Sequence, residues 1–178
     1  MTWPRALPWI VLLLLAGLVL GDVHLSRWLG GGGADAALVA NGSASAQLER
    51  VIDGDTIVAQ IDGREEHVRY IGIDTPETVK PNTPVQCFGP QAHDLNARLL
   101  GAAGSALTLQ FDRELRDRYG RLLAYVYRAQ DGLFVNARLI DAGAARTLEI
   151  APNTAHAAQL SDLQHTARAT GRGLWSAC

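Results

Sequence analysis

Four short stretches of this sequence put charged side chains beside turn formers where apolar runs stop. They are Asp53-Gly54-Asp55-Thr56, the lone Arg69 of Val68-Arg69-Tyr70, Asp74-Thr75-Pro76-Glu77, and Asp117-Arg118-Tyr119-Gly120-Arg121. Singly, each reads as turn chemistry, because Asp side chains bond nearby backbone while Gly and Pro fix the bend. Together they suggest a site. Carboxylates such as Asp55 and Asp74, with a carbonyl and water, are the hard oxygen ligands that Ca²⁺ or Mg²⁺ takes, and such a cation would also attract a phosphodiester. Arg69 and Arg121 offer planar forks that grip phosphate by paired hydrogen bonds and offset charge as it builds during attack. Glu77, three residues past Asp74, is placed to take a proton from an attacking water.

Strand ends must deliver these residues. Residues 47–78 read as three strands, "QLERVID", "DTIVAQI" and "REEHVRYIGID", with Asp62-Gly63 as a hairpin turn. Pro90 opens a helical pattern with Ala92, Leu95 and Leu99 on one face and Gly104 at its end. "ALTLQFD" alternates as a strand, "RLLAYVYR" as another, and a short helix spans Val135 to Asp141, ended by Gly143. Thr154 caps a last helix, with His156, Leu160, Leu163 and Ala167 on one face. The order predicts an α+β, mainly β fold: a curved, five-stranded antiparallel sheet with helices on one side, the outline of an OB-type barrel.

The chain has 178 residues, which favours one folded domain. Ala6 to Gly21 is uncharged over 16 residues. As a helix it spans about 24 Å, just short of a hydrocarbon slab of roughly 30 Å. Arg5 before it, Asp22 and His24 after it, and Trp3, Trp9 and Trp28 as interfacial anchors suit an N-terminus held inside. Residues 1–29 therefore read as a signal anchor, with a cleaved signal peptide as the rival; Ala34-Asp35-Ala36 and Ala44-Ser45-Ala46 lie far past the apolar run for a cleavage site. Residues 30–46 read as a flexible linker and 47–178 as the folded, extracytoplasmic domain.

From Gln47 onward, 14 Arg plus Lys face 16 Asp plus Glu, and Lys80 is the sole lysine, so bulk charge does not advertise a nucleic-acid partner. Cys87 and Cys178 are the two cysteines, which in an exported chain predicts one disulfide. His93, His156 and His165 lack ligand spacing and sit on helical patterns, so they read as helix surface or packing.

The segments "VIDGDT", "VRYIGIDTPE", "FGPQA", "DRYGRLLAYVY", "VNARLIDAG", "PNTAH" and "GLW" together closely resemble the staphylococcal nuclease family, in that family's order, from about Arg50 to Trp175. The resemblance implies a five-stranded OB barrel with three helices. It also implies a Ca²⁺-dependent phosphodiesterase that cuts DNA and RNA by breaking the bond to the 5′ oxygen, leaving 3′-phosphates. Carried over by position, Asp55, Asp74 and the Thr75 carbonyl would hold the metal. Glu77 would orient or deprotonate water, Arg69 and Arg121 would bind phosphate, and Tyr119 and Arg118 would contact substrate. The sequence departs from the pattern at Leu148, where the staphylococcal member has a tyrosine at its substrate pocket, and in the scarcity of lysines near the mouth. The leading expectation is a monomeric nuclease preferring single strands. The alternative is a non-catalytic OB module that grips single strands, and a third reading is an anchored interaction domain that keeps only the fold; retention of all six positions (Asp55, Arg69, Asp74, Thr75, Glu77 and Arg121) separates the enzyme from both, since a pure binder does not need them.

Overall fold

The structure is a computed structural model that describes residues 33–38, 42–78 and 84–178. The anchor expected over 1–29, Lys80 and residues 30–32 and 39–41 of the linker lie outside the described residues. Among the described residues no helix is long and apolar enough to cross a membrane. The chain separates into two compact units, Met1–Ala40 and Asn41–Cys178. Of the first, residues 33–38 are described and form a helical segment, α1, within the stretch read as flexible linker.

The second unit begins with β1, Ser43–Val51, four residues ahead of the expected start at Gln47. Ser43 to Gln47 pair with Gln110 to Ala106 of β5 (Ala106–Gln110), so ladder hydrogen bonds recruit a Ser/Ala stretch whose composition reads as linker. β1 also pairs with β2 (Thr56–Ile61), which turns into β3 (Arg64–Tyr70). Asp62 and Gly63 both take positive φ, 49° and 76°, as the favoured two-residue hairpin requires. β6 (Leu122–Arg128) closes the barrel in the order β1-β2-β3-β6-β5.

One pairing departs from the antiparallel expectation: β3 and β6 run parallel, Val68 opposite Leu122 and Tyr70 opposite Ala124. The strand read as "REEHVRYIGID" is also divided. Ile71 interrupts it, Gly72 turns at φ 80°, and β4 (Gly72–Asp74) leaves the barrel to pair with β7 (Arg146–Leu148). This break takes Asp74 out of the barrel ladder while its carboxylate still reaches Arg69 of β3. The core is the inward set of the strands, with Ile57, Val68, Leu109, Leu122 and Val126 fully buried. Each such side chain contributes about 1.5–3 kcal/mol of burial.

α2, Gly89–Leu100, has Pro90 in its first turn and ends at Gly101 (φ 87°), three residues before the predicted stop at Gly104. Its buried face is Ala92, Asn96 and Leu100, one position on from the predicted Leu95 and Leu99, because buried Asn96 has partners in the barrel. α3 is Val135–Asp141 as predicted. Beyond it, Gly143 (φ 69°) packs so closely that an added Cβ would lie 2.1 Å from the Arg172 carbonyl oxygen. α4, Ala157–Ala169, buries Leu160 and Ala167. The Thr154 side chain does not cap it; the Thr154 carbonyl accepts the Ala157 amide instead. A terminal turn, α5 (Leu174–Ala177), precedes a Cys87–Cys178 disulfide that joins the chain end to the loop before α2.

Candidate active site

The Asp53–Thr56 turn stands at the mouth of the barrel between β1 and β2. Its shape is set locally: Asp53 Oδ1 accepts the Asp55 amide at 3.0 Å, and the Ile52 amide donates to the Thr56 carbonyl. It is also fixed from below, where Asn96 Nδ2 of α2 donates to the Asp53 carbonyl at 3.1 Å and Asn96 Oδ1 accepts the Tyr70 hydroxyl. Gly54 is required by a close approach, since a Cβ there would sit 2.7 Å from the Thr75 side chain. Any larger residue would push the two acidic turns apart.

Those two turns are stitched together by Asp55, which is 4% exposed. Its Oδ2 accepts the Thr75 amide at 2.6 Å and the Thr75 hydroxyl at 3.0 Å, while Oδ1 accepts the Thr56 hydroxyl at 3.2 Å. Arg69, delivered by β3, then joins the carboxylates: Nη1 is 3.2 Å from Asp55 Oδ1 and Nη2 donates to Asp74 Oδ1 at 2.9 Å. The same guanidinium donates Nη1 to the Ile73 carbonyl at 2.8 Å, which fixes its plane across the β3–β4 break. Asp74 itself opens to solvent, with 58% of its side chain exposed.

The acid groups strain against each other. Burial, then the charge of Asp55, lifts Asp53 to about 6. Burial and the Asp55 charge also raise Asp74, with Arg69 pulling the other way and Glu77 adding to the rise. Burial comes first in both cases, and the Asp55 charge adds to it.

The opposite wall is the turn before β6. Asp117 Oδ1 accepts the Tyr119 and Arg121 amides at 2.9 and 3.0 Å, and Oδ2 accepts Arg121 Nε at 2.7 Å. Burial alone would raise the Asp117 carboxyl, but these bonds from Arg121 and Tyr119 bring it below its ordinary range. Arg121 is thereby aimed by a carboxylate of its own turn. Tyr119 is 69% exposed, and the Arg118 and Arg121 guanidinium carbons lie 4.8 and 5.6 Å from its ring centroid.

One cleft of about 580 Å³ unites the groups, lined among others by Asp55, Asp74, Thr75, Glu77, Arg69 and Arg121. Arg118 and Tyr119 line it too, so all eight residues singled out for the site in the sequence meet in one place. A neighbouring cleft of about 440 Å³ shares Arg69, Tyr119 and Arg121 and is walled by Leu148 and Ile150. His156 packs edge-on to Tyr125 with ring centroids 4.5 Å apart, a packing role as expected. Asp117, a carboxylate that the sequence reads as a turn former or a support beside the site, takes the supporting role, whereas Asn96 was not foreseen and carries no local signal in the sequence.

Among the described residues no three His, Cys, Asp or Glu side chains converge on a metal-sized point. The oxygen set here is smaller: two carboxylates sharing Arg69, the Thr75 backbone, and open solvent at Asp74. Hard oxygen donors open to solvent at Asp74 fit a Ca²⁺-type ion that keeps waters of its own.

A small closed five-stranded barrel flanked by helices, with carboxylates facing arginines at its mouth, defines a protein of the OB-barrel class. Residues 67–177 match the family described as staphylococcal nuclease homologue, and the chain belongs to that family. It is 42% identical over 127 residues to a thermonuclease of Staphylococcus hyicus, covering 71% of this chain and 73% of that protein. It is 43% identical over 128 residues to a thermonuclease of Staphylococcus intermedius, covering 72% and 74%. To the endonuclease YncB of Bacillus subtilis it is 42% identical over 131 residues, covering 72% of this chain and 60% of that one.

Proposed function

We propose that the protein is a Ca²⁺-dependent endonuclease that hydrolyses phosphodiesters of DNA and RNA, leaving 3′-phosphates. The observation that carries this is the single cleft in which Arg69 holds Asp55 and Asp74 on one wall and Asp117 aims Arg121 from the other. Family membership and the names of the relatives support the nuclease class. Asp55, Asp74 and the Thr75 carbonyl would hold the ion, which when bound would supply positive charge beside the phosphate.

The rest of the work falls to this chain's side chains. Arg121, with Nε committed to Asp117, turns its remaining N–H edge to a phosphate oxygen and stabilises charge that grows as the phosphorus becomes five-coordinate. Arg69 grips from the other side. Glu77 accepts the proton of the attacking water, and the bond to the 5′ oxygen breaks in line with it. Tyr119 and Arg118 contact the strand beside the cleaved phosphate, and a single strand is preferred because an OB cleft needs a splayed backbone. The domain acts outside the cytoplasm, on an N-terminal anchor or after its removal, a reading that the Cys87–Cys178 bond supports.

The deciding experiment is digestion of single-stranded and duplex DNA by the full-length protein with Ca²⁺, with Mg²⁺ and with chelator. Turnover should require Ca²⁺, fall strongly with Mg²⁺, whose octahedral demands this loose oxygen set does not meet, and favour the single strand. Full turnover in chelator would overturn the metal assignment. Binding without cleavage in Ca²⁺ would favour the non-catalytic module.

A further inference from the structure

Beside the cleft, two arginines share one aromatic ring. The guanidinium carbons of Arg146 and Arg168 lie 5.5 and 5.4 Å from the ring centroid of the same indole, Trp175. Both arginines are exposed, and among the described residues neither has a carboxylate within ion-pairing distance. Nearby arginines are different: Arg138 and Arg172 share Asp141. An arginine over an aromatic face keeps its in-plane N–H donors free and loses little freedom when they bind, which suits an anion that presents two oxygens, such as a phosphodiester.

The pair is also well placed. β7 sets Arg146 directly opposite Asp74 in the β4–β7 ladder, where paired residues stand about 5 Å apart. Arg146 is therefore at the rim of the acidic mouth, and its charge acts on the Asp74 carboxyl. Arg168 continues the positive surface onto α4, away from the cleft.

We propose that Arg146 and Arg168, held over Trp175, form a phosphate seat outside the cleavage cleft that receives a neighbouring phosphodiester of a bound single strand. The seat rests on the nuclease reading for its substrate class. It explains how a chain of net charge −2 holds a polyanion: local, pre-arranged cations replace bulk positive charge. It also predicts that longer strands bind better than the minimum cleavable unit.

The test uses full-length protein and a fluorescently labelled oligothymidylate, with binding read by anisotropy in chelator, where no cutting occurs, over a range of salt. Replacing Arg146→Gln and Arg168→Gln together should flatten the slope of log K against log salt by about 0.7 for each lost phosphate contact. In Ca²⁺, the ratio of kcat/KM on the oligomer to kcat/KM on a dinucleotide should fall. Arg168→Gln alone, at an exposed helix position, guards against misfolding of the double variant and should give about half the slope change. An unchanged slope overturns the seat. A lowered melting temperature with an unchanged slope also overturns it, assigning the pair to anchoring the C-terminal segment. Absence of turnover by the unmodified protein would instead overturn the nuclease reading, and the slope would still decide the seat.

Discussion

Arg121 shows how much of a functional side chain's value lies in what aims it. Its Nε and one Nη are tied to Asp117 Oδ2 at 2.7 Å, so the guanidinium plane is fixed by the protein itself. Arg121→Lys keeps the charge and loses both the fork and its tether, so kcat should drop by about 10² to 10³, the usual cost of removing one transition-state donor. An unaltered kcat would show that Arg121 serves only the surface. Glu77→Gln should lower kcat with KM nearly constant, and a large rise in KM instead would argue against a part in proton transfer. Asp117 gives a pH prediction. Its folded pKa is lowered, so the stability it contributes is complete above the unfolded carboxylate range and is lost as pH falls through the folded value. Asp117→Asn should therefore soften the acid limb of a plot of urea midpoint against pH. Superimposable limbs for the variant and the unmodified protein would refute that role.

At the scale of elements, the site depends on two turns and a broken strand, and these were unequally legible. Residue identity and order marked Asp55, Arg69, Asp74 and Arg121, because metal and phosphate chemistry demands those types at strand ends. Alternation marked β5 and β6, and Asp62-Gly63 marked the hairpin. The parallel β3–β6 pairing was not visible, since period-two alternation says which face is buried but nothing about the neighbour's direction. Nor was the split at Gly72, because the run "REEHVRYIGID" stays apolar enough to continue as one strand. The clamp on the 117–120 turn was equally hidden. Arg116 Nη1 and Nη2 reach the two carboxylate oxygens of Glu66 at 2.9 and 3.0 Å, and Nη1 also donates to the Gly120 carbonyl. The pair joins residues 50 apart in sequence, beyond any local signal. Arg116→Gln should cost on the order of 1–3 kcal/mol in urea unfolding, as expected for charged hydrogen bonds that are partly buried. It should also raise KM more than it lowers kcat, because the turn it steadies carries Arg118 and Tyr119. A variant with unchanged stability and KM would show that the turn holds itself.

For the whole molecule, the decisive long-range link is covalent. Cys87 lies in the loop ahead of α2 and Cys178 is the last residue, so their bond ties the C-terminal segment to the side of the barrel that carries the Pro76–Glu77 turn. The Gln86 amide donates to the Glu77 carbonyl and Gln86 Oε1 accepts the Glu77 amide at 3.0 Å, so the residue before Cys87 is itself bonded to the site. The bond spans 91 residues, and the chain-entropy model gives about 4–5 kcal/mol for a loop of that size. A domain of this length holds only about 5–15 kcal/mol in all, so reduction should lower the melting temperature by many degrees. Activity should be lost at lower temperature as well, because freeing Cys87 loosens the loop that braces Glu77. Thiol titration of the denatured, unreduced protein should find no free thiol, and Cys87→Ser with Cys178→Ser should melt like the reduced protein. Two free thiols in the purified chain, or equal melting with and without reductant, would remove both the structural role of the bond and its support for an extracytoplasmic site of action.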